Sequence, residues 1–133
     1  MANGNNNAKE QIDRLEKSFR HAFKGLRYAI CYERNFQIEL IAGFIIVVLI
    51  LVLKLKNWEA VTLLLMIMWV LIVELTNTAV ERVVDILKPR IHPYARLIKD
   101  IMAAVVLISI IAAVAIGIII FLPYIKILLK MMF

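Results

Sequence analysis

Three long apolar stretches govern what this 133-residue chain can become. They run over residues 36–53, 58–73 and 101–122, and polar residues are sparse within them. Each approaches the roughly 20 residues that a helix needs to cross about 30 Å of hydrocarbon. Hydrophobic residues make up 63% of the chain and the mean hydropathy is +0.87. A soluble domain of this length has too little interior to hide that much apolar surface, so the stretches are read as membrane spans.

The segments between the spans complete an all-α integral membrane architecture. MANGNNN (residues 1–7) is expected to be a disordered leader, with no apolar region behind it that would make a secretory signal. Residues 8–34 predict an amphipathic surface helix. Leu15, Phe19, Phe23, Leu26 and Ile30 recur at spacings of three and four, and Arg14, Lys17, Arg20, Lys24 and Arg27 fill much of the rest. The first transmembrane helix is expected at 36–53, followed by the polar turn LKLKNW. The second is expected at 58–87, because ELTNTAVERVVDILK keeps helical periodicity beyond the apolar part. KPRIHPYARLIK (residues 88–99) reads as a loop broken by Pro89 and Pro93, and the third span covers 101–122, ending at Pro123. Residues 8–133 are thus expected to form one membrane domain.

The net charge of +6 does not point to nucleic acid, because the basic residues flank the spans; it suits anionic headgroups and cytoplasmic loops. Of the 16 lysines and arginines, seven precede the first span and two lie in the first turn. Five lie between Arg82 and Lys99, and two follow the third span. The positive-inside rule then puts the N-terminus and the second loop in the cytoplasm. Trp58 and Tyr124 become outer-interface anchors, while Trp69 packs within the second span. The lone Cys31 excludes an internal disulfide and a cysteine zinc site.

Chemistry enters at the end of the second helix. Glu74, Asn77, Glu81 and Asp85 are separated by three, four and four residues, and at about 100° per residue they share an arc of roughly 80°. Four oxygen-bearing side chains on one stripe of a membrane helix cannot face lipid cheaply, so they face protein, water or a cation. Glu33 and Glu39 at the start of the first span, and Lys99 and Asp100 before the third, are expected at the same depth. Carboxylates there suit Mg²⁺, which takes one or two of them plus substrate phosphates. One near the apolar boundary suits a general base, and nearby cations suit phosphate charge. The set fits phosphoryl transfer. The chain contains neither a Walker A pattern nor GxGxxG, so a kinase here is of another type. Two alternatives stay open on spacing alone: interface salt bridges, and the cation path of a small carrier or channel subunit. A cation path needs polar groups through the whole membrane depth, whereas the outer halves of the spans read as apolar.

ELTNTAVERVVD (residues 74–85) resembles the signature E-x-x-N-[ST]-A-[IV]-E-x-x-x-D of the prokaryotic diacylglycerol kinase family, which includes undecaprenol kinases. SFRHAFKGLRYAICYERNFQIEL (residues 18–40) is similar to that family's surface helix and first-span entry, and KDIMAAVVL (residues 99–107) to its third-span element. The resemblance covers roughly residues 14–122. It implies an ATP- and Mg²⁺-dependent lipid kinase of the bacterial inner membrane, a homotrimer with sites shared between subunits. Carried over by position, Glu74 is the general base and Asn77 orients it. Glu33 and Glu81 hold the metal with ATP. Arg14, Asp85, Arg90, Ile91, His92, Lys99 and Asp100 contact the nucleotide. Glu39, Phe23 and Ala103 join Glu74 at the lipid acceptor. Phe23 and Ala103 stand where much-studied members have tryptophan and serine, which leaves the acceptor between undecaprenol, slightly preferred, and diacylglycerol. His21 and Cys31 read as interfacial and packing residues, and Gly43 and Gly117 as points of close helix approach.

Overall fold

The computed structural model describes residues 3–86 and 93–132, and they form four helices: α1 (Asn3–Tyr32), α2 (Arg34–Val52), α3 (Asn57–Ile86) and α4 (Pro93–Met132). The chain divides into two units, residues 1–33 and 34–133, each described by itself.

The first unit is α1, which takes in residues 3–7 as well as the stretch expected to be helical. Its last turn is extended by the Glu33 N–H, which donates to the Ala29 carbonyl at 3.0 Å. The apolar positions Leu15, Phe19 and Phe23 are all exposed. The Tyr28 and Tyr32 rings stack one helical turn apart, with centroids 5.2 Å from each other.

The second unit is built around α3, which packs against α4 and, less extensively, against α2. All three helices are long and apolar enough to cross a membrane. The boundaries of α2 and α3 agree with the expected spans to within two residues. Helix α4 differs: its 40 residues extend the third span at both ends. Pro93 and the residues up to Lys99, read from sequence as loop, are helical because proline at the first helical position surrenders an N–H that would have no partner anyway. Pro123 sits inside α4, and the helix continues past it.

The end of this unit where α2 turns into α3 is closed by capping (the capped end hereafter). The Leu55 N–H donates back to the Ile50 carbonyl at 3.2 Å, across Lys54 at φ 50°. That is a Schellman closure, with lysine where glycine is usual. The Leu55–Ile50 contact that accompanies it is buried in a cluster with Leu63 and Ile120. One residue on, the Lys56 N–H donates to Glu59 Oε2 at 3.0 Å, half of a capping box. The Tyr124 hydroxyl of α4 donates to the same oxygen. Glu59, which the apolar reading of 58–73 passed over, is therefore a buried structural acid, 6% exposed.

Close approach of α2 to α3 rests on Gly43, where a Cβ would stand 2.8 Å from Ile67 Cγ2. The same expectation fails for Gly117, where a Cβ would meet nothing within 4 Å. Gly117 lines a cleft instead.

Candidate active site

Helix α3 carries the acidic stripe, and burial falls off along it. Glu74 is 2% exposed and Asn77 7%; Glu81 is half-buried, and the Asp85 side chain is 49% exposed. The i, i+3, i+4 spacing that puts these groups on one face also staggers them from the apolar interior outward.

Two pairings tie the stripe to neighbouring helices. At its buried end, Glu39 of α2 comes close enough to Glu74 for their charges to interact. At its exposed end, Lys99 Nζ of α4 lies 2.7 Å from Asp85 Oδ1, within the field of Glu81 and Arg82. The sequence put these charges at one depth. They occupy two levels instead, because Glu74 and Asp85 are 11 residues apart, roughly 16 Å along the axis. The early start of α4 at Pro93 is what lets Lys99 meet α3 at the outer of these levels.

The buried level is polar without being closed. Glu39 Oε2 and Asn77 Oδ1 are fully buried and have no hydrogen-bond partner among the described residues. An unpaired buried polar group costs about 1–3 kcal/mol, so such atoms suit a ligand more than a fold. Glu39 also lines an apolar cleft of about 530 Å³ between α2, α3 and α4, with Gly43, Met66, Ile67, Val114 and Gly117 among its walls. Its volume falls in the range of small-molecule pockets. From sequence the residues lining this cleft read as ordinary span. Their small side chains, Ala42, Gly43, Ala113 and Gly117, were the available signal.

Thus Glu39, Glu74 and Asn77 are brought together, and Asp85, Lys99 and Glu81 form a second group. Asp100 and Ala103 are exposed on α4. Arg14, Phe23 and Glu33 belong to the first unit, where Arg14 is 3.9 Å from Glu10 in an exposed pair. Arg90, Ile91 and His92 lie outside the described residues. Among the described residues no three acidic, histidine or cysteine side chains converge as a ready-made metal site.

Comparison with known proteins meets the same stretch of chain. The model of the family described as prokaryotic diacylglycerol kinase matches residues 20–121. An undecaprenol kinase of Bacillus subtilis is 33% identical over 115 residues, 86% of this chain and 94% of that protein. A diacylglycerol kinase of Synechocystis is 38% identical over 112 residues, 84% of this chain and 64% of that protein. A diacylglycerol kinase of Escherichia coli is 38% identical over 101 residues, 76% of this chain and 83% of that protein.

Proposed function

Since the chain belongs to the prokaryotic diacylglycerol kinase family and is a lipid kinase, we propose that it moves the γ-phosphoryl group of ATP onto the hydroxyl of a membrane lipid alcohol, undecaprenol ahead of diacylglycerol. The observation that carries this reading is the unsatisfied buried Glu39 Oε2, which lies within charge range of Glu74 on a residue lining the apolar cleft; Asn77 Oδ1, one turn along α3 from Glu74, is a second buried oxygen without a partner among the described residues. A lipid alcohol supplies what that place lacks: a hydroxyl for the polar end and a hydrocarbon chain for the cleft.

Glu74 accepts the hydroxyl proton, a task for which a desolvated carboxylate near the apolar boundary is suited. Asn77, one turn along, orients the hydroxyl, and Glu39 holds the acceptor's polar end. The lipid oxygen forms its bond to the γ-phosphorus as the bond from phosphorus to the β–γ bridging oxygen breaks, and ADP leaves with that electron pair. Lys99, fixed by Asp85, offers a cation to the phosphates. Glu81, half-buried on the same stripe, would hold the Mg²⁺ of Mg·ATP, whose charge would offset that of the phosphates. The metal role of Glu33 rests on the resemblance alone.

In this reading α1 is an amphipathic helix lying on the membrane surface. Its exposed Leu15, Phe19 and Phe23 enter the acyl boundary and its lysines and arginines meet headgroups. The acidic stripe faces the cytoplasm, where ATP is available, and the protein works as a homotrimer in the bacterial inner membrane. The broad exposure of apolar side chains on α2, α3 and α4 fits both lipid and neighbouring subunits. The test is a radiolabelled-ATP assay on the purified protein, presenting undecaprenol and diacylglycerol side by side in mixed micelles. Label in the undecaprenol phosphate fraction is expected. Label in neither lipid would overturn the proposal.

A further inference from the structure

At the capped end, α4 runs on after its neighbours have stopped. The bond from Tyr124 to Glu59 fixes the level, because Glu59 stands in the first turn of α3. Residues 125–131 therefore carry the helix about 10 Å further. Among the described residues they stay open: Ile125, at the end of the cleft, and Ile127, Leu128, Leu129 and Met131 are each at least 50% exposed. The polar side chains on this segment are Lys126 and Lys130, at i and i+4 and so on one side. Lys54 and Lys56 of the turn are exposed as well, next to Trp58 at 63% exposure.

Charge at this end is one-sided. Across residues 53–59 and 123–131 the single acid is Glu59, which is buried and already accepts bonds from Lys56 and Tyr124. The four lysines thus have no carboxylate to meet in either segment. An apolar helix end flanked by such lysines is unsuited to water. It suits a bilayer boundary, where the aliphatic stems lie along the apolar residues and the ammonium groups reach the phosphate level. A zwitterionic headgroup brings its own cation and cancels much of the attraction; a net-anionic one does not.

We propose that Lys54, Lys56, Lys126 and Lys130 form a binding surface for anionic phospholipid headgroups of the leaflet at the capped end. This surface is independent of the acidic stripe and of the kinase reading.

The experiment uses the full chain carrying Trp69→Phe, so that Trp58 is the single fluorophore, in vesicles of phosphatidylcholine with phosphatidylglycerol. Chain-brominated versions of one lipid or the other, at equal mole fraction, report which lipid sits beside Trp58. Brominated phosphatidylglycerol is expected to compete for that position about fivefold better than brominated phosphatidylcholine, equivalent to ~1 kcal/mol. The preference should fall to parity in Lys54→Gln/Lys56→Gln/Lys126→Gln/Lys130→Gln, and should shrink in the unsubstituted lysine background at 0.5 M salt, roughly where the Debye length drops below 5 Å. The salt arm needs no altered lysine, so it decides the matter even if the fourfold variant fails to fold. Equal quenching by both lipids at low salt would overturn the proposal. So would a preference that persists in the variant, or weak quenching by either lipid, which would mean that a second copy of the chain covers Trp58.

Discussion

The second unit buries acids at both of its ends, and treats them in opposite ways. At the capped end, Glu59 Oε2 accepts from the Lys56 N–H and from the Tyr124 hydroxyl, so the cost of removing a carboxylate from water is met locally. At the acidic end, Glu39 Oε2 and Asn77 Oδ1 are equally buried and find no protein partner among the described residues. The first arrangement is what selection for a stable fold produces. The second leaves a penalty of about 1–3 kcal/mol per atom that a hydrogen-bond donor from outside the unit would relieve. The difference separates a structural acid from a working one more clearly than burial does, since both ends are buried alike.

Substitutions should split along the same line. The largest effect is expected for Glu74→Gln, which should lower turnover by about a thousandfold with helicity and thermal midpoint unchanged, as loss of a general base does. ATP-to-lipid transfer and circular dichroism on one preparation check it, and near-native turnover would end the base assignment. Next comes Glu59→Ala, which leaves the Lys56 N–H without its partner and should cost about 2 kcal/mol of stability. The residual kinase activity per folded molecule should stay near that of the parent, as read by denaturant titration in micelles. A selective loss of turnover instead would put Glu59 in the machinery and erase the contrast. Tyr124→Phe should move stability in the same direction by less. The smallest effect has the opposite sign: Lys54→Gly should raise stability by about 1 kcal/mol, because φ 50° is costly for a side-chain-bearing residue and free for glycine. A fall in stability there would mean that the turn is held by something other than its cap.

Much of this was legible in the sequence. The helices of the second unit were, because apolar length is a direct physical requirement of the bilayer. The acidic stripe was also, because helical periodicity alone puts Glu74, Asn77, Glu81 and Asp85 on one face. Membership of the family came from ELTNTAVERVVD, a pattern whose residue types and spacings leave little freedom. What stayed hidden depends on pairings between distant positions. Nothing in the local run around Pro93 says that a proline at a helix start extends α4 rather than ending a loop. Glu59 is a lone acid in an apolar context until Tyr124, 65 residues on, is brought to it. The meeting of Lys99 with Asp85 requires the register of α3 against α4, which composition does not encode.

The graded exposure of the stripe bears on how such an enzyme resets itself. A base must discard the proton it takes before the next cycle, and Glu74, the base of the proposed reaction, is only 2% exposed. Asn77, Glu81 and Asp85 follow it at steps of about 4.5–6 Å along the axis, gaps that single water molecules can bridge. On the proposed reading, this face of α3 would be the route by which water and the Glu81 and Asp85 carboxylates carry the spent proton away.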